Sequence, residues 1–256
     1  MRQFSANLGF LWSELSLPEA IAAAKAAGFD AVECHWPYDT PAMDVARALK
    51  LAGLRMLGIN TVRGRPGENG LAALPGREDD ARAAIDQALT YAEAIGAQMV
   101  HVMAGFARGA DAQAVFVANL SYAARRAEPR GITILIEPLN RHDAPGYFLQ
   151  TTDQARALIN EVGAPNLKVM FDCYHIGRTE GDITTRFRSL QPLIGHVQFA
   201  SVPDRGTPDH GELDYGAILD DLSSAGWSKP FGAEYKPVGP TGESLGWMEK
   251  LRPSTK

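Results

Sequence analysis

Glu137, Asp172, Gln198 and Glu234 each close a short apolar run of the kind that forms a buried strand. The clearest run is Ile132-Thr133-Ile134-Leu135-Ile136, which ends in Glu137 and is then broken by Pro138, a residue that cannot continue a hydrogen-bonded ladder. A carboxylate at the end of a strand buried on both faces is costly unless it coordinates something. Three carboxylates converging on one point repel, and each is pushed toward its protonated form unless a cation offsets the charge. Together with one amide oxygen they make a hard, oxygen-rich donor set, which suits Mg²⁺ or Mn²⁺ better than a sulfur-bound zinc.

Other polar residues lie near these positions. His175, in Phe171-Asp172-Cys173-Tyr174-His175, has the chemistry of a ligand, a general acid/base or a substrate donor. Arg205, in Pro203-Asp204-Arg205-Gly206, is placed to clamp a carboxylate or a hydroxyl-keto pair, with Glu212 of the same segment as a candidate to orient it. Lys236, after Glu234, can neutralise the site or bind substrate. His101 sits inside an apolar run, where a histidine is first read as a satisfied core residue and second as part of the site. His196 reads as structural, and His35, His142 and His210 fall in loops with no decisive context.

The elements that would position these groups alternate regularly. Strands are expected at Gln3–Asn7, Ala31–Glu33, Arg55–Asn60, Gln98–Met103, Ile132–Glu137, Lys168–Asp172, Gly195–Phe199 and Phe231–Tyr235. Helical spacing places helices at Pro18–Ala27, Ala42–Leu51, Arg77–Ile95, Ala112–Ala127, Thr152–Glu161, Ile183–Leu190 and Tyr215–Ser224, with a last helical piece at Ser244–Leu251. Such alternation over 256 residues, with no break in composition, predicts a single-domain α/β fold, the (β/α)8 TIM barrel, spanning 1–256. No Gly-x-Gly-x-x-Gly follows the first strand, so a dinucleotide fold is not favoured. In a barrel the active site lies at the C-terminal strand ends, where the four candidate ligand positions fall on consecutive strands.

Composition narrows the partners. A formal net charge of −5 with no Lys/Arg block disfavours nucleic acid. The N-terminus lacks the apolar core of a signal peptide and no run reaches membrane-spanning length, so a cytoplasmic enzyme is expected, with no membrane partner. Cys34 and Cys173 do not make a disulfide framework. Oligomeric state is open, a homo-oligomer included.

The ordered set Phe4-Ser5-Ala6-Asn7-Leu8, Ala31-Val32-Glu33, Pro37-Tyr38-Asp39, Leu74-Pro75-Gly76-Arg77-Glu78, Ile136-Glu137-Pro138-Leu139-Asn140, Asp143-Ala144-Pro145-Gly146-Tyr147, Phe171-Asp172-Cys173-Tyr174-His175, Gly195-His196-Val197-Gln198 and Glu234-Tyr235-Lys236-Pro237 resembles the hydroxypyruvate isomerase family of xylose isomerase-like barrels. The resemblance implies a divalent cation on Glu137, Asp172, Gln198 and Glu234, with Glu137 and Glu234 also the proton-transfer pair. It implies that His175 and Arg205 face the substrate, with Asn60, His101 and Lys236 also assigned to substrate binding. The chain departs from the family pattern after strand seven, at Ala200-Ser201-Val202-Pro203 and Thr207-Pro208-Asp209-His210-Gly211-Glu212, and near Gly58-Ile59-Asn60-Thr61-Val62, in loops that would shape the pocket.

The implied reaction is a metal-assisted isomerisation of a small 2-keto acid or sugar acid, with hydroxypyruvate and tartronate semialdehyde the leading pair. A 2-oxo-tetronate isomerase or a ketose 3-epimerase would need the same site. An abasic-site nuclease would share His101, Glu137, Asp172, His175 and Glu234, but Gln198 and Asn60 stand where a zinc cluster would call for further histidines. A non-catalytic binding protein on the same fold is a further class.

Overall fold

The apolar runs become parallel strands: β1 (Phe4–Asn7), β2 (Ala31–Cys34), β3 (Met56–Asn60), β4 (Met99–His101), β5 (Thr133–Ile136), β6 (Leu167–Asp172), β7 (Ile194–Phe199) and β8 (Phe231–Ala233). Each pairs with the next, and β8 returns to β1 with Phe4 beside Phe231 and Ala6 beside Ala233, closing the expected barrel. The computed structural model describes residues 1–252.

All but one of the helices form where apolar spacing and stop signals predict. They are α1 (Leu17–Ala26), α2 (Ala42–Ala52), α3 (Glu78–Ile95), α4 (Ala110–Ala127), α5 (Thr152–Val162), α6 (Cys173–Thr179), α7 (Ile183–Leu190), α8 (Tyr215–Ser224) and α9 (Trp247–Leu251). In α3 the stripe Ala81, Ala84, Ile85, Ala88, Leu89, Ala92 and Ile95 is buried, and Gly96 ends the helix in the left-handed conformation that a side chain would resist.

Inside the barrel the strand period of two sets the chemistry. Ala31, Met99, Leu135 and Met170 belong to one small apolar cluster with Leu57. Two residues further along the same strands, on the same face, stand Glu33, His101, Glu137 and Asp172. An apolar plug therefore gives way to a polar layer at the C-terminal end. Register fixes neighbours within that layer: Asn7 beside Glu33, Asn60 beside His101, Asp172 beside Gln198.

Three expectations differ in detail. The β5 and β8 ladders stop one residue before Glu137 and Glu234, so both carboxylates begin the loops that follow. β4 is confined to Met99–His101, shorter than the expected Gln98–Met103. Helix α6 is additional: it starts directly after Asp172, whose Oδ1 accepts from Tyr174 N at 2.8 Å and caps a segment of poor helix formers.

Candidate active site

Glu137, Asp172, Gln198 and Glu234 are all buried at the C-terminal end of the barrel. Above them a cleft of about 380 Å³ is lined by Phe10, His35, Asn60, Arg63, His101, Glu137, His175, Arg205, Glu234 and Lys236, among others. Every residue assigned to substrate binding from the sequence thus lines the cleft, whereas Asp172 and Gln198 are buried and are not among its lining residues.

Glu234 is the most fully held of the carboxylates. Its Oε1 meets His35 Nε2 at 2.7 Å and accepts from Asn7 Nδ2 at 3.0 Å, and its Oε2 accepts from Arg205 Nη2 at 2.8 Å. Burial opposes its charge, but Arg205 and the His35 hydrogen bond outweigh burial and hold its pKa down to about 2. Glu137 is the opposite case. Burial, then the charges of Glu234 and Asp172, push it well above the ordinary carboxylate range. Burial and Glu234 likewise push Asp172 up to about 7.

His175 lies 3.8 Å from Glu137 Oε1 and 3.7 Å from Asp172 Oδ2, close enough for these three residues to form a cation-binding cluster by distance alone. Its chemistry points elsewhere. His175 Nδ1 accepts from Asn140 N at 3.0 Å, so the proton of the neutral ring sits on Nε2, which faces the carboxylates as a donor rather than a ligand. Burial and Arg205 lower its pKa to about 3, so it stays neutral. His101, against the first reading, is not a satisfied core residue. It stands 3.6 Å from Glu137, and neither ring nitrogen has a hydrogen-bond partner among the described residues.

Arg205 reaches the site from the loop after β7. It adopts φ +58°, a left-handed conformation unusual for a side-chain-bearing residue. The loop is fixed by Arg205 N to Ser201 O at 2.9 Å and by Lys236 N to Arg205 O at 2.8 Å. The guanidinium lies between the rings of Phe10 and Tyr174, 4.9 Å from each centroid. Glu212, the candidate orienting group, is exposed; Glu234 and Asp172, the latter at 3.8 Å, hold the arginine instead. His196 is structural as expected, donating to Glu33 inside the barrel.

The donor set suits a hard divalent cation. Glu137 Oε1, Asp172 Oδ2 and Gln198 Oε1 are buried oxygens with no hydrogen-bond donor among the described residues. Buried oxygens are seldom left unpaired, and a divalent cation would satisfy oxygen ligands of this type.

Residues 21–251 match the xylose isomerase-like TIM barrel family. A 2-oxo-tetronate isomerase of Cupriavidus necator is 43% identical over 97% of this chain and 98% of its own. The hydroxypyruvate isomerase of Escherichia coli is 36% identical over 98% of this chain and 100% of its own. The chain belongs to the hydroxypyruvate isomerase family. A solved structure described as an AP endonuclease, family 2, from Brucella melitensis superposes with TM-score 0.94 at 39% identity, covering 99% of this chain and 100% of that one.

His35, Asn7, Phe10 and Arg63 are among the residues at the site that the sequence reading did not single out. Asn7 ends a strand-like run, as the four candidate ligands do, so the same strand-end rule extended to β1 would have found it. His35 carries no such signal, because its partner Glu234 lies 199 positions away.

Proposed function

We propose that this family member is a divalent-metal-dependent isomerase that interconverts hydroxypyruvate and tartronate semialdehyde through an enediolate. The observation that carries the reading is the convergence of buried Glu137, Asp172, Gln198 and Glu234 at one end of the barrel, with Glu137 Oε1, Asp172 Oδ2 and Gln198 Oε1 lacking a hydrogen-bond donor among the described residues. Two carboxyl groups that meet at one cleft can supply a base and an acid to neighbouring carbons of one substrate. Glu234, held charged by Arg205 and His35, takes the proton from the hydroxyl-bearing carbon. Glu137 delivers a proton to the adjacent carbon, and the hydroxyl proton of the first carbon passes to the former carbonyl oxygen. The two carboxyl groups recover their starting states by exchange with solvent. His175 Nε2 offers a hydrogen bond to an oxygen that gains charge. Glu137, Asp172, Gln198 and Glu234 would hold Mg²⁺ or Mn²⁺, which when bound polarises adjacent carbonyl and hydroxyl oxygens as a Lewis acid.

An anionic substrate is supported by the rim. Arg63 and Lys236 line the cleft, are exposed and have no carboxylate partner among the described residues. A reducing compartment, the cytoplasm, suits the two buried free cysteines.

A four-carbon 2-oxo-tetronate is the second reading, favoured by the name of the 43% identical relative. Assay of the Mg²⁺- or Mn²⁺-supplemented protein with hydroxypyruvate, 2-oxo-tetronates and free ketoses tests both. The expected result is turnover of the acids and not of the neutral sugars. Nicking of abasic duplex DNA without isomerisation would replace both readings with the nuclease described for the Brucella structure.

A further inference from the structure

We infer that Glu33, beneath the cleft, is a positioning residue that turns the carbonyl oxygen of Gln198 toward the cation and holds Glu234 in place. The inference rests on the proposed cation site and adds the device that arranges two of its ligands.

Glu33 is buried in β2 and accepts from three side chains. Gln198 Nε2 donates to its Oε1 at 3.1 Å, Asn7 Nδ2 to the same oxygen at 3.4 Å, and His196 Nε2 to Oε2. A glutamine can present either its oxygen or its amide hydrogens to a site, and only the oxygen binds a cation. Glu33 removes that ambiguity. By taking Nε2 it leaves Oε1 directed away, and Oε1 is the atom that has no donor among the described residues.

The same carboxylate acts on Glu234 through Asn7. Asn7 is itself fixed, because its Oδ1 accepts from Gly9 N at 2.9 Å. Its amide then bridges Glu33 Oε1 and Glu234 Oε1, the latter at 3.0 Å.

A second observation is independent of these hydrogen bonds. Gly232 in β8 is paired with Gln198, and a Cβ there would stand 2.6 Å from Glu33 Oε1, 2.8 Å from His196 Nε2 and 3.0 Å from Gln198 Cγ. Those separations are too short for any side chain, so the strand leaves room for this network.

Mn²⁺ binding, followed by calorimetry and by the Mn²⁺ EPR signal, tests the inference in wild type, Glu33→Gln and Gly232→Ala. Glu33→Gln keeps the shape and lets an amide compete for the Gln198 orientation; Gly232→Ala displaces the network without removing a polar group. Outer-shell losses weaken metal binding about 10–100-fold. We expect that range in both variants, with unchanged circular dichroism and an altered EPR line shape for bound Mn²⁺. In a Gln198→Ala background, Glu33→Gln should lower affinity several-fold less than in wild type, because much of its effect passes through Gln198.

Wild-type binding left unchanged by Glu33→Gln, or by a folded Gly232→Ala, would overturn this inference alone. Absence of Mn²⁺ binding by wild type would overturn the cation site itself and this inference with it.

Discussion

Arg205 donates to Glu234 across 2.8 Å, and the pair joins a loop residue in a left-handed conformation to a carboxylate just beyond β8. Both side chains are largely buried, so removing the arginine leaves an uncompensated charge. Arg205→Ala is expected to raise the proton affinity of Glu234 and lower kcat/KM on the order of 10²-fold, about 2.7 kcal/mol of transition-state stabilisation. Arg205→Lys keeps the charge but loses the planar fork and its stacking between Phe10 and Tyr174, so it should recover only part of the loss. Steady-state kinetics of the two variants check this, and full activity in Arg205→Ala would remove the arginine from the mechanism.

Glu137→Gln and Glu234→Gln should each abolish turnover while leaving the barrel folded. A positioned acid or base contributes about 10²–10⁴-fold, so residual rates should fall at least that far. Circular dichroism and thermal melts alongside the assay separate lost chemistry from lost structure.

The cluster of buried polar residues at the strand ends was legible in the sequence because a charge at the end of an apolar run is a local contradiction that one strand displays by itself. Glu137 after Ile132–Ile136 and Asp172 after Val169-Met170-Phe171 are such cases. What was not legible depends on distant chain. His35 looks like an ordinary loop residue until closure of the barrel brings Glu234 to it, and Glu33 reads as one more strand-end acid until His196, Gln198 and Asn7 converge on it. Helix α6 was hidden for a different reason: Cys173-Tyr174-His175-Ile176-Gly177 has weak helix propensity, and the cap from Asp172 supplies what composition does not.

The same carboxylates make cation-free stability fall as pH rises. Asp172 has a folded-state pKa raised to about 7 by burial and Glu234, and Glu137 is raised in the same direction. Between the unfolded carboxylate range near ~4 and about 7 the folded state binds more protons, so stability is present at the low end and lost toward the high end. Glu234 is depressed, and its contribution is lost only below that window. Melting temperatures of chelated and Mn²⁺-supplemented protein from pH 5 to 8 should therefore diverge as pH rises, with the cation-loaded form the more stable. A constant gap would contradict the coupling.

Arg63 and Lys236 should matter for anionic substrates and little for the chemistry. Each is exposed, so alanine substitution should raise KM for an oxo-acid about 2–5-fold, the scale of an exposed ion pair at about 0.2–1 kcal/mol, with kcat nearly unchanged. Added salt should reduce the difference from wild type. A fall in kcat without a change in KM would place these residues in the reaction instead of at its entrance.

Both cysteines should be inert in the folded protein. Burial pushes the Cys34 thiol up to about 12 and Cys173 well above its ordinary value, so neither supplies thiolate at neutral pH. A thiol-disulfide reagent should titrate neither in native protein and both after denaturation.

Turnover of hydroxypyruvate in D₂O, with Mg²⁺ or Mn²⁺ present, tests the central claim most directly. Proton transfer by Glu234 and Glu137 predicts tartronate semialdehyde carrying deuterium on its hydroxyl-bearing carbon, and no labelled product above the uncatalysed background when either glutamate is replaced by glutamine. Product formed by the wild type without solvent deuterium, or labelled product formed at the wild-type rate by either variant, would contradict the account.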